Sequence, residues 1–405
     1  MKNLIKLLIF LLLIGALFVL QLFRSQLSDN TNSTNLPHSS IAEPSSLSPT
    51  ETTPTPDAAV TPDVVATPVP TPSPTPTPEP TPELFTISVI GDETLTTHQN
   101  LSDQSEYSYA GRMNGDYSYP FSNTAQYFKS DEFTITNLEC TLADQQMYSA
   151  QTFYFRAPTA NAQILTEGGV DFVTTANNHS LDFGQAGLLA TCAALEEYGI
   201  PYGKEDDYQI VTTEHGLKIG IYCAGTDMAP NADKAASAIQ LMKAENVDYI
   251  ICAFHWGLEL QPVTAAQINV GRACIDAGAN LIFGCHPHCL QPIEEYNGGI
   301  ILYSMGEFSF GGSTSPKDRD TAIFQVTLKR DLDGSITVDS WNVIPCCVSS
   351  LPVYEGYTLD NYNDFCPTPY EEGSEDYERV LGKLDGSYTA HYTGTDYTNW
   401  YNSYS

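Results

Sequence analysis

The sequence predicts an α/β domain built on a largely parallel sheet, and three observations carry that prediction. Short apolar, β-branched runs alternate with helix-length segments from Leu84 onward. Glycines such as Gly199 and Gly278 follow the helical segments and stop them. Several strand-like runs end in polar clusters, which is where open α/β sheets bind their ligands.

Before that domain the chain has a different character. Residues 4–23 are apolar apart from Lys6 and Gln21, long enough to span a bilayer as a helix. Lys2 and Lys6 precede most of the run and Arg24 follows it, which favours a cytoplasmic N-terminus. The run is long for a signal-peptide core and no A-x-A-like site follows it. Residues 1–24 are therefore read as an uncleaved single-pass anchor in preference to a cleaved signal peptide. Residues 25–83 are rich in Ser, Thr and Pro, a composition that buries no core and favours extended polyproline II. They read as a disordered stalk holding a globular domain, residues 84–350, on the outer side of the cell membrane. An acidic, Tyr-rich extension, residues 351–405, follows.

The chain of 405 residues carries a net charge of −32 with only 17 Lys and Arg. That balance excludes nucleic acid and disfavours anionic lipid as partners of the bulk of the chain, and it suits an exported protein. The 10 cysteines form no C-x-x-C pair. Cys223 and Cys252 lie in strand-like runs and Cys192 in a helical one, so these read as small buried hydrophobes.

Within the domain, residues 85–92 alternate as a strand ending at Gly91-Asp92. A short helix is expected over 122–129 and a strand over 133–137, leading to Glu139. A helix over 160–167 and a strand over 170–175 lead into Asn177-Asn178-His179. Helix 184–198, strand 217–224 and helix 233–244 come next. Strand 247–254 ends at His255-Trp256-Gly257. Helix 264–277 precedes strand 281–283, which runs into Gly284-Cys285-His286-Pro287-His288, where Pro287 stiffens the turn. Strand 300–303 runs toward Glu307. Strands 322–328 and 335–343 are joined by a turn at residues 331–334.

Asp92, Glu139, Asn178-His179, His255 and His286/His288 thus each follow a strand-like run, which points to convergence on one sheet edge. Carboxylate, amide and imidazole ligands together suit Mn, Fe or Zn, in one or two ions. Two such ions activate a water and clamp the oxygens of an in-line displacement. A zinc site made of Cys285, His286, His288 and Cys289 alone is disfavoured, because one short loop does not wrap four ligands around an ion.

In combination and in order, Gly91-Asp92, Asn137-Leu138-Glu139, Asn177-Asn178-His179, Asp182, His255-Trp256-Gly257, Glu259, His286-Pro287-His288 and Gly306-Glu307-Phe308 resemble the CapA family of capsule and poly-γ-glutamate synthesis proteins. The resemblance covers about residues 84–345. The family is similar to the calcineurin-like metallophosphatases, which implies a four-layer α/β/β/α sandwich. It further implies that Asp92 binds one metal and Glu139 bridges two. Asn178, His255 and His286 would hold the second metal, and His288 would return to the first. His179 would be an acid or transition-state donor beside them. Asp182 either orients the His179 loop or caps the helix from Gly184. Trp256 and Glu259 either line the cleft or are, respectively, packed and solvated.

Two positions depart from the family pattern. Thr94 stands where metallophosphatases carry His, which leaves the first metal a ligand short. Glu307 stands where the family usually has Asn, so an extra carboxylate either adds a ligand or repels an anionic substrate at a substrate-binding position. The expectation is a membrane-anchored, extracytoplasmic CapA-like protein that makes, exports or anchors an anionic surface polymer. One hypothesis is a metal-dependent hydrolase of a phosphoester or an amide in the polymer or cell wall. The other is a non-catalytic scaffold of a membrane polymer synthase.

Overall fold

Two mixed β-sheets face one another and helices cover their outer faces. The computed structural model describes residues 81–98, 104–225, 229–351 and 363–388. The expected anchor and all but the end of the expected linker lie outside the described residues. Among the described residues no helix is long and apolar enough to cross a membrane.

In chain order the elements begin with β1 (Glu83–Thr94), α1 (Tyr109–Met113), α2 (Ala125–Phe128), β2 (Phe133–Leu138), β3 (Thr141–Leu142), β4 (Arg156–Ala157) and α3 (Ala162–Gly168). Next come β5 (Phe172–Thr174), α4 (Gly184–Glu197), β6 (Tyr202–Gly203), β7 (Asp207–Thr212), β8 (Lys218–Ala224), α5 (Ala232–Ala244), β9 (Tyr249–His255) and α6 (Ala265–Ala277). The remainder are β10 (Leu281–Cys285), β11 (Leu290–Tyr296), β12 (Gly299–Met305), β13 (Glu307–Phe310), β14 (Asp320–Arg330), β15 (Ile336–Cys347), β16 (Thr368–Pro369) and α7 (Glu375–Leu384).

The first sheet has the order β16-β15-β14-β1-β2-β5-β6, with β13 also pairing β1; the second has the order β11-β12-β10-β9-β8-β7. The expectation of a largely parallel sheet needs correction. β1, β2, β5 and β6 run parallel, as do β8, β9, β10 and β12. Antiparallel neighbours complete both sheets: β14 lies antiparallel to β1, β7 to β8 and β11 to β12.

Three apolar clusters mark the layers. Ile87, Val89 and Ile135 from one sheet meet Ile221, Ile251 and Phe283 from the other in the central core. Leu138 and Val173 pack outward against Leu165 of α3 and Leu195 of α4. Ile250 and Ile282 pack outward against Ile239 of α5 and Ile275 of α6. The result is a mixed α/β sandwich of helices, sheet, sheet and helices.

Local chemistry explains the helix limits. Thr264 and Gln267 form a capping box at the start of α6, and Gly278 ends it at φ 111°. Asn231 caps α5 by accepting from the backbone of Asp233 and Lys234. α7, in the C-terminal extension, packs Val380 and Leu384 into the central core. It is tied down by Lys383 Nζ, 2.6 Å from Asp318 Oδ1 and 2.8 Å from Asp320 Oδ2. Arg379 adds bonds to both oxygens of Asp320.

Candidate functional site

The C-terminal ends of parallel strands from both sheets converge, and the side chains expected to act together meet there. Asp92 on β1 is fully buried and accepts from Asn137 Nδ2 at 2.8 Å and from the His286 backbone at 3.1 Å. Close passage of β1 depends on Gly91, since a Cβ there would lie 2.0 Å from the Gly306 carbonyl oxygen. That same oxygen accepts from the Asp92 amide at 2.9 Å. Glu139, just past β2, is held by its backbone: its amide donates to Glu93 O, and its carbonyl accepts from Thr94 Oγ1 at 3.1 Å. Thr94 therefore positions Glu139 through its hydroxyl.

His255 ends β9 with Nε2 3.3 Å from Glu139 Oε1 and 2.7 Å from Asn178 Oδ1. His286 and His288 follow β10, with φ of 94° and 51°. Non-glycine residues at positive φ are strained by on the order of 1–3 kcal/mol each, and such strain gathers at ligand clamps. His288 reaches back to the other sheet, with Nδ1 3.5 Å from Asp92 Oδ2. Ligand atoms of Asp92, Glu139 and His288 all lie within 4.8 Å of one another, and so do those of Glu139, His255 and His286. The two groups share Glu139.

His179 stands at the rim. Its Nδ1 lies 2.9 Å from Asp182 Oδ2, an oxygen that also accepts from the Phe155 amide, and its Nε2 lies 3.9 Å from Glu139 Oε1. Asp182 thus orients the histidine, and α4 has Phe183 at its N-cap position with no side-chain cap. Trp256 stands apart from the cleft. It is fully buried in the outer core of the second sheet and its Nε1 donates to the Tyr303 carbonyl. Glu259 is exposed and lines a cleft of about 540 Å³ over the cluster, together with Asn178, His179, His288, Phe155 and Phe310. Glu307 is buried, with Oε1 3.8 Å from His288 Nδ1.

Electrostatics make this cluster costly as it stands. Burial, and then the Glu139 charge, raise the Asp92 pKa to about 7. Burial raises Glu139 to about 8 and, with Asp92 beside it, lifts Glu307 well above the usual carboxylate range. Burial pushes His255 down to about 4 and His286 to about 3. His179 differs: burial disfavours its charged form, but the Asp182 hydrogen bond and the Glu139 charge outweigh it and raise the pKa. Both carboxylate oxygens of Glu139, and Nδ1 of His286 and of His288, are buried with no hydrogen-bond partner among the described groups. Orphaned acceptors of this kind, from carboxylates and imidazoles together, fit a divalent metal.

Three contributors carry no assigned role in the sequence reading. Asn137 bonds Asp92, lies 3.2 Å from His255 Nδ1 and accepts from Asn177, so it stitches the strand ends together. Its place beside Glu139 was the available signal. Phe155 and Phe310 flank His179 and His288 at ring-centroid distances of 4.7 and 4.9 Å. Nothing in the sequence separates them from core phenylalanines.

Comparison with known proteins gives this geometry a family. Residues 86–312 match the model described as bacterial capsule synthesis protein PGA_cap. The capsule biosynthesis protein CapA of Bacillus anthracis is 25% identical over 289 residues, covering 64% of this chain and 68% of that one. The PGA biosynthesis protein CapA of Bacillus subtilis is 27% identical over 234 residues, covering 52% and 61%. Among solved structures, the calcineurin-like phosphoesterase YfkN of Bacillus subtilis superposes with a TM-score of 0.40 at 16% identity, covering 65% of this chain and 91% of that one. The family match spans more than half of the 405 residues, and the chain belongs to the bacterial capsule synthesis protein family PGA_cap.

Proposed function

We propose that this chain is a membrane-anchored, extracytoplasmic, metal-dependent hydrolase that cuts an amide of an anionic surface polymer of the poly-γ-glutamate type, or of its cell-wall attachment. The observation that carries the reading is Glu139, one buried carboxylate shared by two ligand groups with neither oxygen hydrogen-bonded. Asp92, Glu139 and His288 would hold one divalent ion, and Glu139, Asn178, His255 and His286 another. Mn, Fe or Zn bound there would supply Lewis-acid polarisation of the scissile carbonyl.

The chain's own groups do the rest. Asp182, itself held by the Phe155 amide, fixes the His179 ring with Nε2 3.9 Å from Glu139 Oε1; when water has added to the scissile carbonyl carbon, this Nε2 would give its proton to the amine nitrogen as the C–N bond breaks. Phe155 and Phe310 wall the cleft and keep water from its sides. An amide is favoured over a phosphoester because the relatives are named for capsule and PGA biosynthesis, and a glutamyl polymer is joined by amides. The apolar run 4–23 and the Pro-rich linker support the anchored, surface-facing placement, beside the membrane subunits of a polymer synthase.

The test is turnover of γ-linked oligoglutamate by the purified full chain, read as newly released amine ends. Chelation should abolish turnover and Mn or Zn should restore it. Absence of turnover with every divalent metal tried would overturn the hydrolase reading. Thr94 favours the scaffold alternative specifically, because its hydroxyl serves Glu139 where a ligand was expected.

A further inference from the structure

Glu259 is an exposed carboxylate that lines the same cleft as the metal-ligand cluster. Most surface glutamates ride on mobile side chains and mobile loops. The loop carrying this one is pinned at both ends to the histidine loop: the Trp256 amide donates to Cys285 O at 3.0 Å, and the Leu260 amide donates to Pro287 O at 2.8 Å. Leu260, directly after it, is held at φ 53°, a conformation that costs a non-glycine residue free energy. The backbone is thus strained to bring Glu259 to this place.

What surrounds Glu259 narrows what it meets. The cleft wall holds three phenylalanines, Phe153, Phe155 and Phe310, of which Phe153 is 59% exposed at the mouth. Lys and Arg are absent from that lining among the described residues. An anionic group entering past Glu259 would find repulsion and no Lys or Arg, the protonated His179 being the cation of the cleft lining and already paired with Asp182. A carboxylate and aromatic rings lining one cleft are the groups that bind ammonium, by ion pairing and by attraction to the ring quadrupole. The net charge of −32 draws cations toward the surface as a whole.

We infer that the mouth of the cleft is a primary-ammonium subsite, with Glu259 as its counter-ion and Phe153 as its apolar side. The inference rests on the amide-hydrolase reading for the identity of the substrate. Each repeat of a γ-linked glutamyl polymer bears a carboxylate, and its one ammonium group is at the amino end. An ammonium subsite beside the centre therefore selects the chain end over mid-chain bonds. The same chemistry is offered by the side-chain amine of a lysine-type residue in a cell-wall peptide.

Binding to the metal-loaded full chain at neutral pH tests this by calorimetry with three probes: γ-linked triglutamate, its N-acetyl form, and Nα-acetyl-lysine methylamide. The free-amine triglutamate should bind about tenfold more tightly than the N-acetyl form. Glu259→Gln should remove that preference, Glu259→Asp should retain part of it, and Phe153→Ala should reduce it. Glu259-dependent binding of the lysine derivative at the higher affinity supports the subsite and assigns its ammonium to a peptide side chain. Equal binding of the two triglutamates, no binding of either, or a preference that survives Glu259→Gln overturns the inference. The hydrolase reading fails separately, by absent turnover while the amine preference persists.

Discussion

Binding of a divalent metal should release about two protons per chain near pH 6 and almost none near pH 9. The perturbation is metal addition to the chelated protein, and the magnitude follows from the buried carboxyls. Asp92 titrates at about 7 and Glu139 at about 8, both raised chiefly by burial. Near pH 6 each holds a proton in most molecules, and a cation that takes their oxygens must displace it. Near pH 7.5 the summed release falls to about one proton, and above about pH 9 both groups are already ionised. His255 and His286, lowered to about 4 and 3, are neutral throughout this range and contribute nothing. The sign is fixed by this arithmetic: apparent metal affinity climbs with pH up to about 8 and then levels off. Calorimetry in buffers of different ionisation enthalpy counts the protons. A release that stays near zero at about pH 6, with metal bound, would refute the assignment of Asp92 and Glu139 as metal ligands.

Two further outcomes follow from other parts of the structure. His255→Ala and His286→Ala should each lower bound metal by about one ion per chain by elemental analysis, because each removes one of few ligands. His215→Ala, where the imidazole is exposed and pairs with Glu132, should leave metal content unchanged, and equal content in all three would count against the centre. Lys383→Met should destabilise the fold by about 3–5 kcal/mol in chemical denaturation, since it takes the ammonium away from Asp318, whose side chain is 4% exposed, while Asp320 keeps Arg379. A loss under about 1 kcal/mol would mean that the Asp318 carboxylate does not depend on the Lys383 ammonium.

The convergence of strand ends was legible because each acting residue directly follows a run whose burial the alternation announces. Asp92, Glu139, His255 and His286 all fit that rule. The antiparallel margins were harder to read. β11 contains Pro292, Glu294 and Glu295, and pairs only with β12 at the sheet edge, where proline and charge are tolerated. α7 was invisible for a different reason: Lys383 reads as a solvated position, and its partners Asp318 and Asp320 lie some sixty residues away in the chain. Trp256, which the sequence leaves open between cleft and core, belongs wholly to the core although it directly follows a ligand. Asn137 and the two phenylalanine walls act through tertiary contacts that no local pattern encodes.

In the proposed hydrolase, catalysis would turn on His179, whose ring is placed by Asp182 and faces Glu139 without being needed to hold either ligand group. Turnover of γ-linked oligoglutamate by His179→Ala, measured beside wild type at matched metal content, is therefore the most direct measurement. The account predicts an unchanged metal load and a rate lower by ~10²–10⁴-fold, the usual worth of a positioned general acid. Turnover equal to wild type, with metal content and folding confirmed, would contradict it.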